Sequence, residues 1–74
     1  MFSDKDKRLI RLLQIILIMG QGCFCAEDFA AEQGCSLRTI YRDINALEQA
    51  GFPIVKKTSK VYNFMKGFNL SKLF

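Results

Sequence analysis

Histidine is missing from all 74 residues, and with it the commonest general base near neutral pH and the commonest metal ligand. A hydrolase or a zinc enzyme would need unusual substitutes, so catalysis is not expected and no cofactor is called for. Cysteine is scarce and odd in number: Cys23, Cys25 and Cys35. Secreted mini-domains usually carry an even, paired set, so three thiols argue against a disulfide framework and point to a reducing cytoplasm. No apolar run reaches the roughly 20 residues of a membrane span, because the greasy stretch from Leu9 to Met19 is too short and holds Arg11 and Gln14. It does not suit a signal peptide either. Asp4 and Asp6 stand where a basic segment belongs, and Cys23-Phe24-Cys25 does not look like a small-residue cleavage site. A buried helix is the remaining reading. Repeats and low-complexity segments are also missing.

What is present is a chain that is 50% hydrophobic and 24% charged, which excludes disorder and allows one small domain without room for a large catalytic cleft. Ser3 or Asp4 can cap a first helix that runs until Gly20-Gln21-Gly22 stops it. Two apolar stripes share it, Ile10, Leu13, Leu17 and Leu9, Leu12, Ile16, and Ile15, Ile18 and Met19 widen the apolar arc beyond what one small core requires. A short second helix, Ala26 to Gln33, faces Phe29 and Ala30 inward and ends at Gly34. Ser36 caps a third, Leu37 to about Ala50, with Ile40, Ile44 and Leu47 at helical spacing and Gly51 closing it. Beyond Gly51 the β-prone runs 52–55 and 61–65 flank Lys56-Lys57-Thr58-Ser59-Lys60, which predicts a hairpin with a basic tip. The stretch 66–74 has no clear period and could be a strand, a docking tail or the start of a linker.

The expected fold is mainly α with a small β-hairpin: a winged helix-turn-helix of three helices plus wing, with the domain at 1–66 and a tail or linker at 67–74. Charge follows the same plan. From Gln21 to Ser36 the only charges are Glu27, Asp28 and Glu32, whereas from Leu37 to the end there are seven basic residues against Asp43 and Glu48. The whole chain is +4. Cations that neutralise phosphates release counterions and supply most non-specific affinity for DNA. With Ile40, Ile44 and Leu47 inward, the third helix turns Arg38, Tyr41, Arg42 and Asn45 to solvent. Arginine can grip guanine O6/N7 and asparagine adenine N6/N7, while tyrosine or the Ser36 and Thr39 hydroxyls can hold phosphate. The plain alternative is a solvated helix face.

The run Ser36-Leu37-Arg38-Thr39-Ile40-Tyr41-Arg42-Asp43-Ile44, followed by Leu47-Glu48 and Gly51-Phe52-Pro53-Ile54, resembles the N-terminal winged-helix domain of DeoR-like and WYL-domain bacterial transcriptional regulators. The resemblance extends from Arg8-Leu9 to Tyr62. It implies sequence-specific binding of double-stranded DNA, with the third helix in the major groove and the hairpin as wing. By position it implies Ser36, Arg38, Thr39, Tyr41 and Arg42 as principal contacts. Asn45 and the hairpin lysines Lys57 and Lys60 complete the expected DNA-binding set. Asp43 would repel phosphate and is expected to orient an arginine, such as Arg8, Arg11 or Arg42. The family's wing usually has glycine before its tyrosine, where Val61 stands here, so a short or differently shaped wing is expected. Cys25 replaces the usual Ser or Thr cap of the second helix.

Two rival readings follow from the same residues. The apolar surface of the first helix and the Phe68 to Phe74 tail could form a homodimer or dock a protein partner, with or without DNA binding. The thiols Cys23, Cys25 and Cys35 could serve a metal or redox switch, although free cysteines are mostly small buried hydrophobes and no fourth ligand is apparent. Phe24, Phe29, Phe52, Phe64 and Phe68 read as core, because they are not interleaved with basic residues.

Overall fold

The computed structural model describes residues 4–68. It contains α1 (Asp4–Gln21), β1 (Phe24–Cys25), α2 (Ala26–Gln33), α3 (Leu37–Gln49), β2 (Ile54–Lys56) and β3 (Val61–Phe64). The strands form an antiparallel sheet in the order β1-β3-β2. β3 is central because the hairpin pairs Ile54 with Phe64 and Lys56 with Tyr62 on one side, while Phe24 and Cys25 pair with Tyr62 and Val61 on the other. This is a winged helix-turn-helix, with three helices packed on a small sheet.

The core is built from every element that has an apolar face. Ile15 and Met19 of α1, Phe24 of β1, Ala26, Phe29 and Ala30 of α2, and Ile40, Ile44 and Leu47 of α3 are all buried. The Phe24 and Phe29 rings meet at 5.1 Å. Phe52, Ile54, Tyr62 and Phe64 close the core from the sheet side. Phe64 and Phe52 stack at 6.0 Å, and Phe68 sets its edge against Phe64 at 4.9 Å, so packing continues to Phe68. The rest of the expected tail, 69–74, lies outside the described residues.

α1 corrects the sequence reading. Its buried face runs through Arg11, Leu12, Ile15, Ile16 and Met19, at helical spacing, whereas Leu9, Ile10, Leu13, Leu17 and Ile18 are exposed. The expected stripe Ile10, Leu13, Leu17 is therefore wholly exposed, the stripe Leu9, Leu12, Ile16 is split with only Leu12 and Ile16 half-buried, and Ile15, an extension of them in the sequence, is wholly buried. With apolar residues on most sides of α1, periodicity alone does not select the inward face; the positions of α3 and β3 do. α1 also continues past Gly20 to Gln21 before Gly22 ends it.

α2 and α3 meet through Gly34, Cys35 and Ser36. Gly34 is left-handed, with φ +66, and no atom lies where a Cβ would stand, so backbone conformation and not crowding calls for glycine. Its N–H and that of Cys35 donate to the Ala31 and Ala30 carbonyls at 3.2 and 3.0 Å, ending α2 cleanly. Cys25 starts α2 without a side-chain cap, and the N–H of Ala26 donates instead to the Lys60 carbonyl of the hairpin at 2.9 Å.

Candidate nucleic-acid interface

Ser36 begins the site by fixing the start of α3. Its Oγ accepts the Thr39 N–H at 3.2 Å and lies 3.1 Å from the Thr39 hydroxyl. This is the capping bond that satisfies one of the free amides of a helix start. From there the 13-residue helix separates its faces. Ile40, Ile44 and Leu47 go into the core, and Arg38, Arg42 and Asn45 are exposed one and two turns apart. Tyr41 is half-buried, edge-on to Tyr62 of the sheet at 6.3 Å. Burial, followed by the nearness of Tyr41 and Glu48, raises the Tyr62 phenol above its ordinary 10.0.

Asp43 belongs to neither face. It is 1% exposed, and its two carboxylate oxygens take the fork of Arg11: Nε donates to Oδ2, and Nη2 donates to Oδ1 at 3.3 Å. Arg8, one helical turn earlier, puts its Nε 3.5 Å from Oδ1. The carboxylate raises the Arg11 pKa further above its ordinary value through that hydrogen bond, although partial burial opposes it. A buried acid is thus held by two arginines of α1, and α1 is locked across α3. Two of the three arginines expected as partners take this role, whereas Arg42 lies along the same depression. Arg8, Arg11, Thr39, Arg42 and Asp43 together line a concavity of about 180 Å³.

The wing is small. Two short strands are joined across Lys57 to Lys60, and the Lys57 N–H closes the turn on the Val61 carbonyl at 2.8 Å. Lys57 is exposed at the tip. Lys60 is differently placed: its Nζ donates to Glu27 Oε2 at 2.5 Å, and this bond raises its pKa. The wing is therefore tethered to the start of α2 through both the side chain and the carbonyl of Lys60.

Of the eight residues expected to meet DNA, Ser36, Arg38, Thr39, Tyr41, Arg42 and Asn45 come together on or beside α3, while Lys57 and Lys60 stand on the wing. Arg8 was not among them, and its place beside α3 follows only from how α1 packs. The thiols do not cluster. Cys23 is exposed, Cys25 and Cys35 are half-buried, all three are free, and no group of three or more metal-ligating side chains occurs among the described residues. No helix among those residues is long and apolar enough to cross a membrane.

The order of helices, turn, capped outward-facing α3 and hairpin defines a helix-turn-helix protein. The family model of the HTH domain matches residues 8–63, and the chain belongs to this helix-turn-helix family. DNA binding by the helix-turn-helix is the activity that membership indicates. No curated protein and no solved structure significantly matches the chain.

Proposed function

We infer that the chain is the DNA-binding part of a bacterial transcriptional regulator of the DeoR-like or WYL-associated kind, acting in the cytoplasm on double-stranded DNA and without enzymatic activity. α3 enters the major groove with Arg38 and Asn45 toward base edges and Arg42 toward the backbone at the rim. Ser36, Thr39 and Tyr41 meet the backbone, and Lys57 and Lys60 of the wing reach the flanking phosphates. Residues 1–66 form the binding domain, and in the tail or linker 67–74 Phe68 packs against Phe64. The observation that carries this reading is the outward face of α3, where Arg38, Arg42 and Asn45 are exposed on a helix anchored by buried Ile40, Ile44 and Leu47. Fluorescence anisotropy with a mixed-sequence duplex over a salt series tests it. Contact with several phosphates gives a steep fall of log affinity with log salt, and a slope corresponding to about three or more phosphates is expected. Arg38→Ala and Arg42→Ala should weaken binding without lowering the melting temperature much. No binding by the parent protein at low salt would overturn the reading.

A second feature supports a homodimer or another protein contact beside DNA binding: the exposed face of α1, where Leu9, Leu13 and Leu17 are 56%, 52% and 59% exposed. Three leucines at i, i+4 and i+8 form one continuous apolar strip, and two domains would match a two-fold DNA site. Sedimentation should show a mass that rises with concentration and returns to monomer in Leu13→Lys. A strictly monomeric protein at high concentration would remove this reading. Ile15, being buried, is not a suitable probe.

A further inference from the structure

The concavity between the start of α1 and α3 holds one cation, Arg8, whose exposed end serves neither the core nor the outward face of α3. Three arginines and one aspartate line it, a local charge of +2 in about 180 Å³, and Thr39, whose hydroxyl lies 3.1 Å from Ser36 Oγ, completes the lining. The aspartate does not cancel this attraction for an incoming anion. Asp43 is buried, and both its oxygens are engaged by Arg11. Arg11 in turn is mostly buried against it, with 18% of its side chain exposed. Arg8 is the opposite case, with 54% of its side chain exposed and only its Nε near Asp43. Its terminal amino groups remain able to donate, as do those of exposed Arg42 across the depression. The ion pair limits the freedom of the Arg8 chain and keeps its charge at the rim before any ligand arrives, so less order has to be imposed on binding.

We propose that this concavity seats one backbone phosphate of the bound duplex between Arg8 of α1 and Arg42 of α3, with Thr39 as a hydroxyl donor and Asp43–Arg11 as the buried support that positions Arg8. A phosphodiester is the ligand of choice because two guanidinium groups and a hydroxyl match a tetrahedral oxyanion. Thr39 and Arg42 also belong to the helix whose outward face carries Arg38 and Asn45. A strand of DNA lying along that face passes the rim of the concavity, so α1 becomes part of the interface as well as part of the core. The proposal rests on the DNA-binding reading and deepens it, since it identifies a contact outside the helix-turn-helix itself.

The test compares the salt dependence of duplex binding by the full chain and three variants, using one mixed-sequence duplex and checking each variant for folding by circular dichroism. Arg8→Ala should lower the magnitude of the log-log slope by about 0.9 and weaken binding about eightfold at 0.1 M salt, the effect of one lost phosphate contact. Arg8→Lys should restore most of the slope. Lys7→Ala removes the same charge from the neighbouring, exposed position of α1, outside the concavity, and should leave the slope within about 0.3 of the parent. If Arg8→Ala keeps the parent slope, or if Lys7→Ala lowers it equally, the seat is refuted and a diffuse field takes its place. Neither result touches the assignment of α3. Absence of binding by the parent protein refutes the DNA-binding reading and the seat with it. A change in melting temperature in Arg8→Ala with an unchanged slope assigns Arg8 a structural role only, which also overturns the proposal.

Discussion

The two ion-pair clusters of this molecule do similar work in opposite surroundings. Asp43 with Arg11 and Arg8 joins α1 to α3, and Lys60 with Glu27 joins the wing to α2. In the first, the carboxylate is 2% exposed and both its oxygens are engaged; in the second, the two side chains are 46% and 58% exposed. A buried acid that loses its partner retains the full cost of desolvation, whereas an exposed pair that opens is rehydrated on both sides. The first cluster therefore fixes geometry and the second only biases it. The difference falls where a DNA reader would want it. The helix that presents Arg38, Arg42 and Asn45 is immobilised, and the Lys60 side chain of the wing is held by a contact that a phosphate could displace.

The contrast can be broken most forcefully at Asp43. Asp43→Ala should cost about 2–4 kcal/mol, somewhat less than the 3–5 of a fully buried pair because Arg8 remains in contact with water. Against the roughly 4–11 kcal/mol expected for a domain of this length, that is a large share. Urea unfolding measures it. Replacing both partners, with Arg11→Met and Asp43→Leu together, should recover at least half the loss, because no buried charge is then left alone. A double variant as unstable as Asp43→Ala would show that the site needs the charges themselves.

Ser36→Ala supplies an intermediate standard, since it removes one exposed capping bond, the Thr39 N–H to Ser36 Oγ contact of 3.2 Å, and leaves the rest of α3 intact. A loss of about 1 kcal/mol is expected in the same unfolding measurement. A loss as large as that of Asp43→Ala would mean that the cap and not the ion pair sets the position of α3.

Alkali should separate the clusters without mutation. The Tyr62 phenol and the Lys60 ammonium both have folded values raised above their ordinary 10.0 and 10.5. Each thus contributes stability that is full below the unfolded value and is lost as pH rises through the folded one. Arg11 is raised further above its ordinary value by its hydrogen bond to Asp43 and keeps its charge throughout that range. From about pH 9 to about pH 11 the parent protein should lose stability, while the difference between parent and Asp43→Ala stays constant. Absorbance at alkaline pH should show a tyrosine that ionises above the ordinary phenol value and disappears in Tyr62→Phe. A parent–variant difference that shrinks over the same range would contradict the separation.

The smallest structural effect is expected from Glu27→Gln. It should leave the melting temperature unchanged within error, because exposed pairs contribute little. It also frees Lys60 and removes an acid beside the wing, so on the proposed reading affinity for a duplex should rise a few-fold at low salt. Unchanged affinity would place Lys60 outside the interface.

Much of the architecture was readable in the chain because it depends on local chemistry. Ser36 before an apolar run, Gly34 between two helices, and Ile40, Ile44 and Leu47 at helical spacing place α2, α3 and their turn with little help from elsewhere. The basic tip between two β-prone runs likewise marks the wing. β1 was not readable, because two residues carry no period; Phe24 and Cys25 become a strand only when β3 offers its free edge. Nor was the inward face of α1, where apolar residues on most sides leave Ile15 and Leu13 equivalent until α3 and β3 choose between them. At the candidate interface, a partner for Asp43 was foreseeable from the cost of an acid near phosphate, but its depth of burial was not.

The sequence by itself determined the helix-turn-helix and the outward order of Arg38, Arg42 and Asn45 on α3, because capping, helical period and charge act over a few residues. Only the tertiary structure decided which arginine serves the core and which serves the surface. Arg8 and Arg11 lie one turn apart on the same helix, yet packing puts Arg11 against the buried carboxylate and leaves Arg8 at the rim beside Arg42. Burial and ion pairing between residues some thirty positions apart depend on how the helices cross, and a crossing angle is set by the fit of whole faces rather than by any local run.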